Sequence, residues 1–192
     1  RFNDFVGKIG VLNEIENKLS KKYNKIFREI WFAVTYVNEV TLLKWSYWRK
    51  FFLTILGVKI YGDNPLQKQM NFSPTNKLAK NLHSDIAINI KSAKNKIKSA
   101  NSHVSKLETQ SIMKKIIRTA FSIVMERENY WTTDLDEMSK IVIKYYPEKR
   151  IEINEVLAIA KGKISNKENS ILILDSLWKW VSEEFFKIIF KI

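Results

Sequence analysis

The sequence predicts an α+β fold that is mostly α, with a short α/β region followed by a bundle of five helices. The distribution of glycine and proline supports this prediction, because residues 75–146 contain neither residue type. Apolar residues recur at helical spacing through that stretch, which is typical of helices joined by short turns. We place the α/β region at residues 1–66 and the helical bundle at residues 74–192, separated by a polar segment with prolines.

The first region alternates helical and strand-like patterns. Apolar residues at helical spacing from Phe5 to Ile26 predict a helix. The run Ile30–Val37 predicts a buried strand, since both of its alternating faces are apolar. A helix over Val40–Leu56 and a short strand, Val58–Tyr61, complete the region. Two strands do not make a stable sheet, so we expect their partner strands upstream of Arg1. The sequence also begins without an initiator methionine, which agrees with this expectation.

The second region is predicted to be helical throughout. An apolar stripe in alternating steps of four and three residues predicts one helix over Leu82–Leu107. Ile112–Met125 is apolar over most of its circumference, so we expect it to be the buried central helix. Three further helices follow: one capped by Thr132–Asp134 and stopped by Pro147, one closed by Gly162, and one over Ile171–Ile192.

The amino-acid composition and net charge of the chain limit the kinds of functional site that it can contain. The chain has no cysteine and only two histidines, which excludes disulfides and thiolate sites and disfavours histidine-bound metals. Its 33 basic and 20 acidic residues give a net charge of +13. This charge fits a nucleic-acid or membrane-surface partner, but a solvated lysine-rich helix face is the favoured interpretation. No apolar run approaches the ~20 residues of a spanning helix, so we expect a cytoplasmic protein without a membrane partner.

Familiar catalytic patterns are absent from the sequence. There is no Gly-x-Ser-x-Gly, no P-loop and no Gly-x-Gly-x-x-Gly. His83 and His103 have no partner pattern nearby, and we expect both at the surface. Asp134 and Asp136 would share a metal on a strand, but the residues after them have helical period, and side chains two apart on a helix diverge. We interpret the pair as helix capping and predict no catalytic or metal-binding residue in this chain.

Three sequence blocks, taken in their order along the chain, indicate a family resemblance. Ile30–Val37 is followed, after a helix, by Gly57–Asp63; a helical block covers Ile117–Glu128; and a third runs from Tyr130 to a turn at Pro147. In this order the blocks resemble the nucleotidyltransferase superfamily, in particular its aminoglycoside adenylyltransferase-like branch. The first block is similar to the end of that family's palm sheet, and the other two to its helical C-terminal domain. The resemblance implies a partial palm over residues 1–66.

The resemblance also implies an activity: transfer of a nucleotidyl group from Mg-ATP, or another nucleoside triphosphate, to a hydroxyl of a small molecule such as an aminoglycoside, as in antibiotic resistance. The family binds Mg²⁺ through a Gly-Ser followed by Asp-x-Asp on a strand. No glycine here is followed by serine, and the only candidate pair lies in the helical region. We expect the signature upstream of Arg1, so that the intact enzyme binds Mg²⁺ and ATP and residues of this chain alone bind neither.

Six residues are candidates by their position in the resemblance. Trp131 and three acids would meet a cationic substrate by stacking and ion pairing: Glu126, Asp134 and Asp136. Two arginines would meet the triphosphate between the domains: Arg118 and Arg127.

A non-catalytic alternative stays open. In it the lysine-rich helix makes the chain a basic interaction module that binds an acidic partner or nucleic acid, with an affinity that falls as salt rises. Nucleic acid is the less favoured partner, since only six of the 33 basic residues are arginine. A homodimer that shares one site between protomers is also left open.

Overall fold

A computed structural model describes residues 2–26, 30, 32, 47–58, 60–61, 73–164 and 167–190. The chain divides into two compact units, Arg1–Trp45 and Ser46–Ile192. The sequence analysis places the boundary further along the chain, at the polar segment before residue 74. The difference arises because the helix Tyr47–Ile55 packs on the bundle, with Phe51 fully buried there.

The first unit contains helix α1, Phe2–Lys22, as predicted. The described residues beyond it return alongside the helix. Ser20 Oγ accepts a hydrogen bond from Ile30 N (3.1 Å), and Phe32 N donates to Glu16 Oε2 (3.2 Å). The rest of the predicted strand Ile30–Val37 lies outside the described residues.

The second unit is helical in every regular element that the structure describes. Its helices are α2 (Tyr47–Ile55), α3 (Asn76–His83), α4 (Ile86–Ser99), α5 (Ser102–Glu128), α6 (Leu135–Tyr145), α7 (Arg150–Ala160) and α8 (Lys167–Ile189), with a 3₁₀ turn at Pro147–Lys149. The mostly helical fold class is therefore confirmed, and the described residues contain no strand.

Helix α5 is the centre of this unit. It packs against α3, α4, α6, α7 and α8. Between Ile112 and Met125 it buries residues on all sides, and Met113, Ile116, Ile117, Ala120 and Ile123 are completely inaccessible. A helix that is apolar over most of its circumference needs neighbours on most sides, which explains why five other helices pack against it. The prediction of a buried central helix is confirmed.

The single helix predicted over Leu82–Leu107 is wrong. The stripe is divided among α3, α4 and α5, so residues 74–192 hold six described helices in place of five. Ser84 and Asp85 form the first break, and Ala100 and Asn101 the second. At the second, Asn101 is extended and its side chain accepts a hydrogen bond from Val104 N (3.0 Å). Short polar side chains favour such caps over helix continuation, and this local bonding overrides the apolar period.

The short strand predicted over Val58–Tyr61 is not observed. Val58, Ile60 and Tyr61 lie outside any strand and are 84%, 95% and 97% exposed. A strand depends on hydrogen bonds to a neighbouring strand, and the described residues offer none.

Helix ends follow the predicted signals. Asp134 caps α6, α6 ends at Tyr145 just before Pro147, and α7 is followed by Gly162 in a left-handed conformation (φ 73°). These caps are local, so the sequence predicts them without knowledge of the tertiary structure.

The substitution Asn101→Ala tests the break between α4 and α5. It removes the cap of α5, and we expect the free energy of unfolding to fall by about 1 kcal/mol in urea denaturation. The control is Asn95→Ala, at an exposed position within α4, which should change stability by less than about 0.5 kcal/mol. Equal effects from the two variants would show that Asn101 does not act as a cap.

Candidate aromatic cavity and basic groove

An aromatic cavity of about 270 Å³ lies beside the central helix. Its walls come from α2, α3, α5 and α6 and from the connection before α6; they include Phe52, His83, Arg118, Phe121, Trp131 and Thr133. This volume is close to the lower end of the range for small-molecule pockets, which is roughly 300 Å³.

Trp131 organises the aromatic wall. Helix α5 ends at Asn129, whose left-handed conformation (φ 47°) turns the chain back over the helix. Asparagine tolerates this conformation better than most residues. Trp131 then meets Phe51 and Phe52 edge-on, with ring centroids 4.9 and 5.9 Å away, and lies 6.3 Å from Phe121. Edge-to-face packing of this kind fixes the indole orientation.

A polar groove of about 330 Å³ adjoins the cavity. The two share Leu82, His83 and Arg118. Within the groove, Lys96 pairs with Glu108 and Lys115 pairs with Asp85, each at 3.1 Å. These two lysines are therefore already neutralised by carboxylates.

Arg118 differs from its basic neighbours. It forms no ion pair with any carboxylate in the described part of the chain. Partial burial lowers the pKa of its guanidinium below the ordinary value. Arg118 is exposed and has no ion pair with a described carboxylate, and it lies on the wall shared by an aromatic cavity and a polar groove, so its guanidinium is available to bind an anionic group.

His83 is buried, and the prediction of a surface histidine is wrong. Only 7% of it is exposed, and Nδ1 lies 3.2 Å from Thr119 Oγ1. Burial, with Lys115 and Arg118 nearby, lowers the pKa of His83 from 6.5 to about 3, although Asp85 opposes the shift. His83 is therefore neutral at physiological pH. Its spacing held a usable signal, because it lies four residues after Ala79 and three before Ile86, both of them buried. His103 is exposed, as predicted.

The three predicted substrate-binding acids are bonded elsewhere in the fold. Glu126 Oε1 accepts from Asn76 N (3.0 Å) at the start of α3. Asp134 Oδ1 accepts from the backbone N–H groups of Asp136 and Glu137, at 2.7 and 3.1 Å. Asp136 forms an ion pair with Lys161, whose hydrogen bond holds the pKa of Asp136 below its usual value. None of the three is among the residues that line the cavity, whereas Trp131 is.

The two predicted nucleotide-binding arginines lie on opposite sides of α5. They are nine residues apart, and at about 100° per residue this separation places them half a turn from one another. Arg127 lies over the ring of Tyr145, with its guanidinium carbon 5.7 Å from the centroid. Arg118 and Arg127 therefore do not converge on one ligand.

The described ranges contain neither a cluster of metal-binding side chains nor a helix that could span a membrane. There, no three or more histidine, aspartate or glutamate side chains come together as a metal site. No helix among them combines the length and hydropathy needed to cross a bilayer.

Comparison with known proteins identifies no relative. No protein-family model matches the chain, and no curated protein or solved structure is significantly similar to it.

His83 makes stability depend on pH. The unfolded chain takes up a proton near pH 6.5, while the folded protein resists it until about pH 3, so protonation favours unfolding between those values. Lowering the pH from 7.5 to 5 should cost about 2 kcal/mol through this residue. The measurement is urea denaturation across this range, with His83→Phe as the variant that lacks the titration. If the two proteins lose stability in parallel, His83 is not the source.

Asp134 should act in stability alone. Asp134→Ala removes the α6 cap, and we expect a loss of about 1 kcal/mol in thermal or urea unfolding. Asp134→Asn retains a capping oxygen and should restore most of that loss. A cationic aminoglycoside that binds wild type but not Asp134→Ala would instead favour a substrate role for the carboxylate.

Proposed function

We propose that Ser46–Ile192 binds a nucleoside triphosphate as part of a nucleotidyltransferase. The base occupies the aromatic cavity, and the phosphates lie at Arg118 and extend into the polar groove. The observation that carries the proposal is the position of Arg118, a cation without a counterion among the described residues, where the two spaces meet. A nucleotide has the matching chemistry, since a planar apolar ring is covalently joined to an anionic chain.

The proposed reaction transfers the nucleotidyl group from Mg-ATP, or another triphosphate, to a hydroxyl of a small molecule. Mg²⁺ would neutralise the phosphates and assist the leaving pyrophosphate. In this proposal its carboxylate ligands lie elsewhere, since no group of three or more histidine, aspartate or glutamate side chains forms a metal site among the described residues. The role of the described residues is confined to holding the nucleotide. The aminoglycoside acceptor suggested by the resemblance has no support from the acids, because Glu126, Asp134 and Asp136 bond within the fold.

The alternative of a basic interaction module has less support. Lys94, Lys96 and Lys115 are paired with Asp175, Glu108 and Asp85 respectively. Pairing reduces the positive field that would attract a nucleic acid or an acidic protein. Arg118, which has no ion pair with a described carboxylate and lies between the cavity and the groove, fits a small anion at a defined place better than a broad charged surface.

Calorimetric titration with ATP tests the proposal. Arg118→Gln removes the charge and the forked donor, and we expect the dissociation constant for ATP to rise by about 10- to 100-fold. Arg127→Gln is the matched control, since the same change on the opposite side of α5 should leave the dissociation constant within about twofold of wild type.

Two results would contradict the proposal. One is the absence of saturable ATP binding by the wild-type chain at millimolar nucleotide. The other is an Arg127→Gln variant that weakens binding as much as Arg118→Gln, which would place the anion away from the cavity. Circular dichroism of both variants checks that the helices are intact.

A further inference from the structure

A second cavity, polar and about 310 Å³ in volume, lies near the N-terminal end of α5. Part of its wall is the first turn of α8, and part is a stripe of α5 side chains at the three- and four-residue spacing of one helix face: Ser102, Ser105, Lys106, Thr109 and Gln110. Twelve residues, or about 18 Å of helix, separate Lys106 from Arg118. The polar cavity is therefore distinct from the proposed nucleotide site.

The lining of the polar cavity is positively charged. Among the described residues that line it, Lys106 and Lys167 are charged, and there is no aspartate or glutamate. Both lysines are exposed, and neither forms an ion pair with a described carboxylate, unlike the lysines of the polar groove. Lys167 Nζ donates to the carbonyl oxygen of Lys98 (3.0 Å), two residues before the cavity-lining Ala100. This bond places the ammonium group at the edge of the cavity and leaves it two further N–H donors.

Gln110 adds a neutral donor, and a glycine makes room for it. Gly162, after α7, has a left-handed conformation (φ 73°), and a methyl group there would overlap Nε2 of Gln110. The Gln110 amide thus occupies space that is open because residue 162 has no side chain. No described residue hydrogen-bonds to this amide, which lines the cavity together with the two lysines. Its N–H groups are free to bond an oxyanion.

The buried hydroxyl groups of the α5 stripe have a different capacity. Ser105 Oγ donates to the carbonyl oxygen of Ile97 (3.1 Å), and Thr109 Oγ1 donates to that of Ser105 (2.8 Å). Because their single protons are used within the fold, these oxygens can accept hydrogen bonds but cannot donate to an anion. The lining therefore combines donors for an anion, from Lys106, Lys167 and Gln110, with acceptors for hydroxyl groups.

We propose that the polar cavity binds a small phosphorylated polyol, such as a sugar monophosphate. The two lysines hold the phosphate as point charges, with Gln110 as a directional donor, and the polyol hydroxyls meet the oxygens of Ser105 and Thr109. The volume lies at the lower end of the range for small-molecule pockets and exceeds what a bare ion needs. This site does not depend on the proposed nucleotide site.

Glucose 6-phosphate is the probe, and amide shifts in nitrogen-15 NMR locate its binding. We expect saturable binding at millimolar concentration, with the largest shifts in residues 102–110 and 167–170. Glucose lacks the phosphate and inorganic phosphate lacks the hydroxyls, so each should bind about tenfold or more weakly than glucose 6-phosphate. Inorganic phosphate that binds as tightly as the sugar phosphate would overturn recognition of the polyol.

Lysine variants test the position of the phosphate. Lys106→Gln and Lys167→Gln should each raise the dissociation constant for glucose 6-phosphate about tenfold, because each removes a charge at the cavity. Lys179→Gln is the matched control, since it makes the same change at an exposed position of α8 that does not line the cavity, and it should leave the constant within about twofold. Equal losses in all three variants would show attraction by net charge alone and would overturn the proposal.

Arg118→Gln separates the polar cavity from the proposed nucleotide site. This variant should bind glucose 6-phosphate as wild type does, and Lys106→Gln should bind ATP as wild type does. Loss of sugar phosphate binding in Arg118→Gln would place the compound in the polar groove and overturn the proposal. The absence of saturable binding of glucose 6-phosphate to the wild-type chain would also overturn it, whatever the result with ATP.

Discussion

Burial of α5 between Ile112 and Met125 is the constraint on which the second unit depends. The segment is apolar over most of its circumference, so it is stable only when other helices cover that apolar surface. Burial of one large aliphatic side chain contributes roughly 1.5–3 kcal/mol, and this segment buries many of them together. The surrounding helices are short or amphipathic and gain their own stability mainly from this contact. The unit is therefore organised around one helix rather than by pairwise contacts of equal weight.

Polar residues on such a helix must find hydrogen bonds close by. Thr109, Thr119 and Ser122 donate to backbone carbonyls three or four residues earlier, which satisfies their hydroxyls without a partner helix. Thr119 Oγ1 also lies 3.2 Å from Nδ1 of His83 on α3. Burial keeps that imidazole neutral beside Lys115 and Arg118.

The sequence predicts those features that depend on neighbours along the chain. Three local signals are confirmed: Ile112–Met125 is apolar over most of its circumference and buried, Asp134 caps α6, and α6 ends just before Pro147. The break at Asn101 is also encoded locally. There the apolar spacing predicts a continuous helix, whereas the Asn101 side chain caps a new one, and the structure shows the cap. Apolar spacing by itself does not distinguish a continuous helix from two helices separated by a cap.

The cavity could be predicted only in part, because its residues meet through tertiary packing. Arg118 and Trp131 were selected by position along the chain, and they do line one cavity. The acids near them were selected by the same criterion and bond elsewhere, since a carboxylate at a helix end is most readily used by nearby backbone N–H groups or lysines. His83 was missed because histidine is commonly exposed, although its spacing matched the buried face of α3.

The arrangement around Arg118 and His83 also explains how a charged and a neutral basic side chain coexist in one place. Burial favours the neutral form of the His83 imidazole, and protonation would also place another positive charge beside Arg118 and Lys115. Arg118, whose guanidinium stays protonated in proteins, lines the same cavity as His83. A charged and a neutral group are thereby maintained side by side.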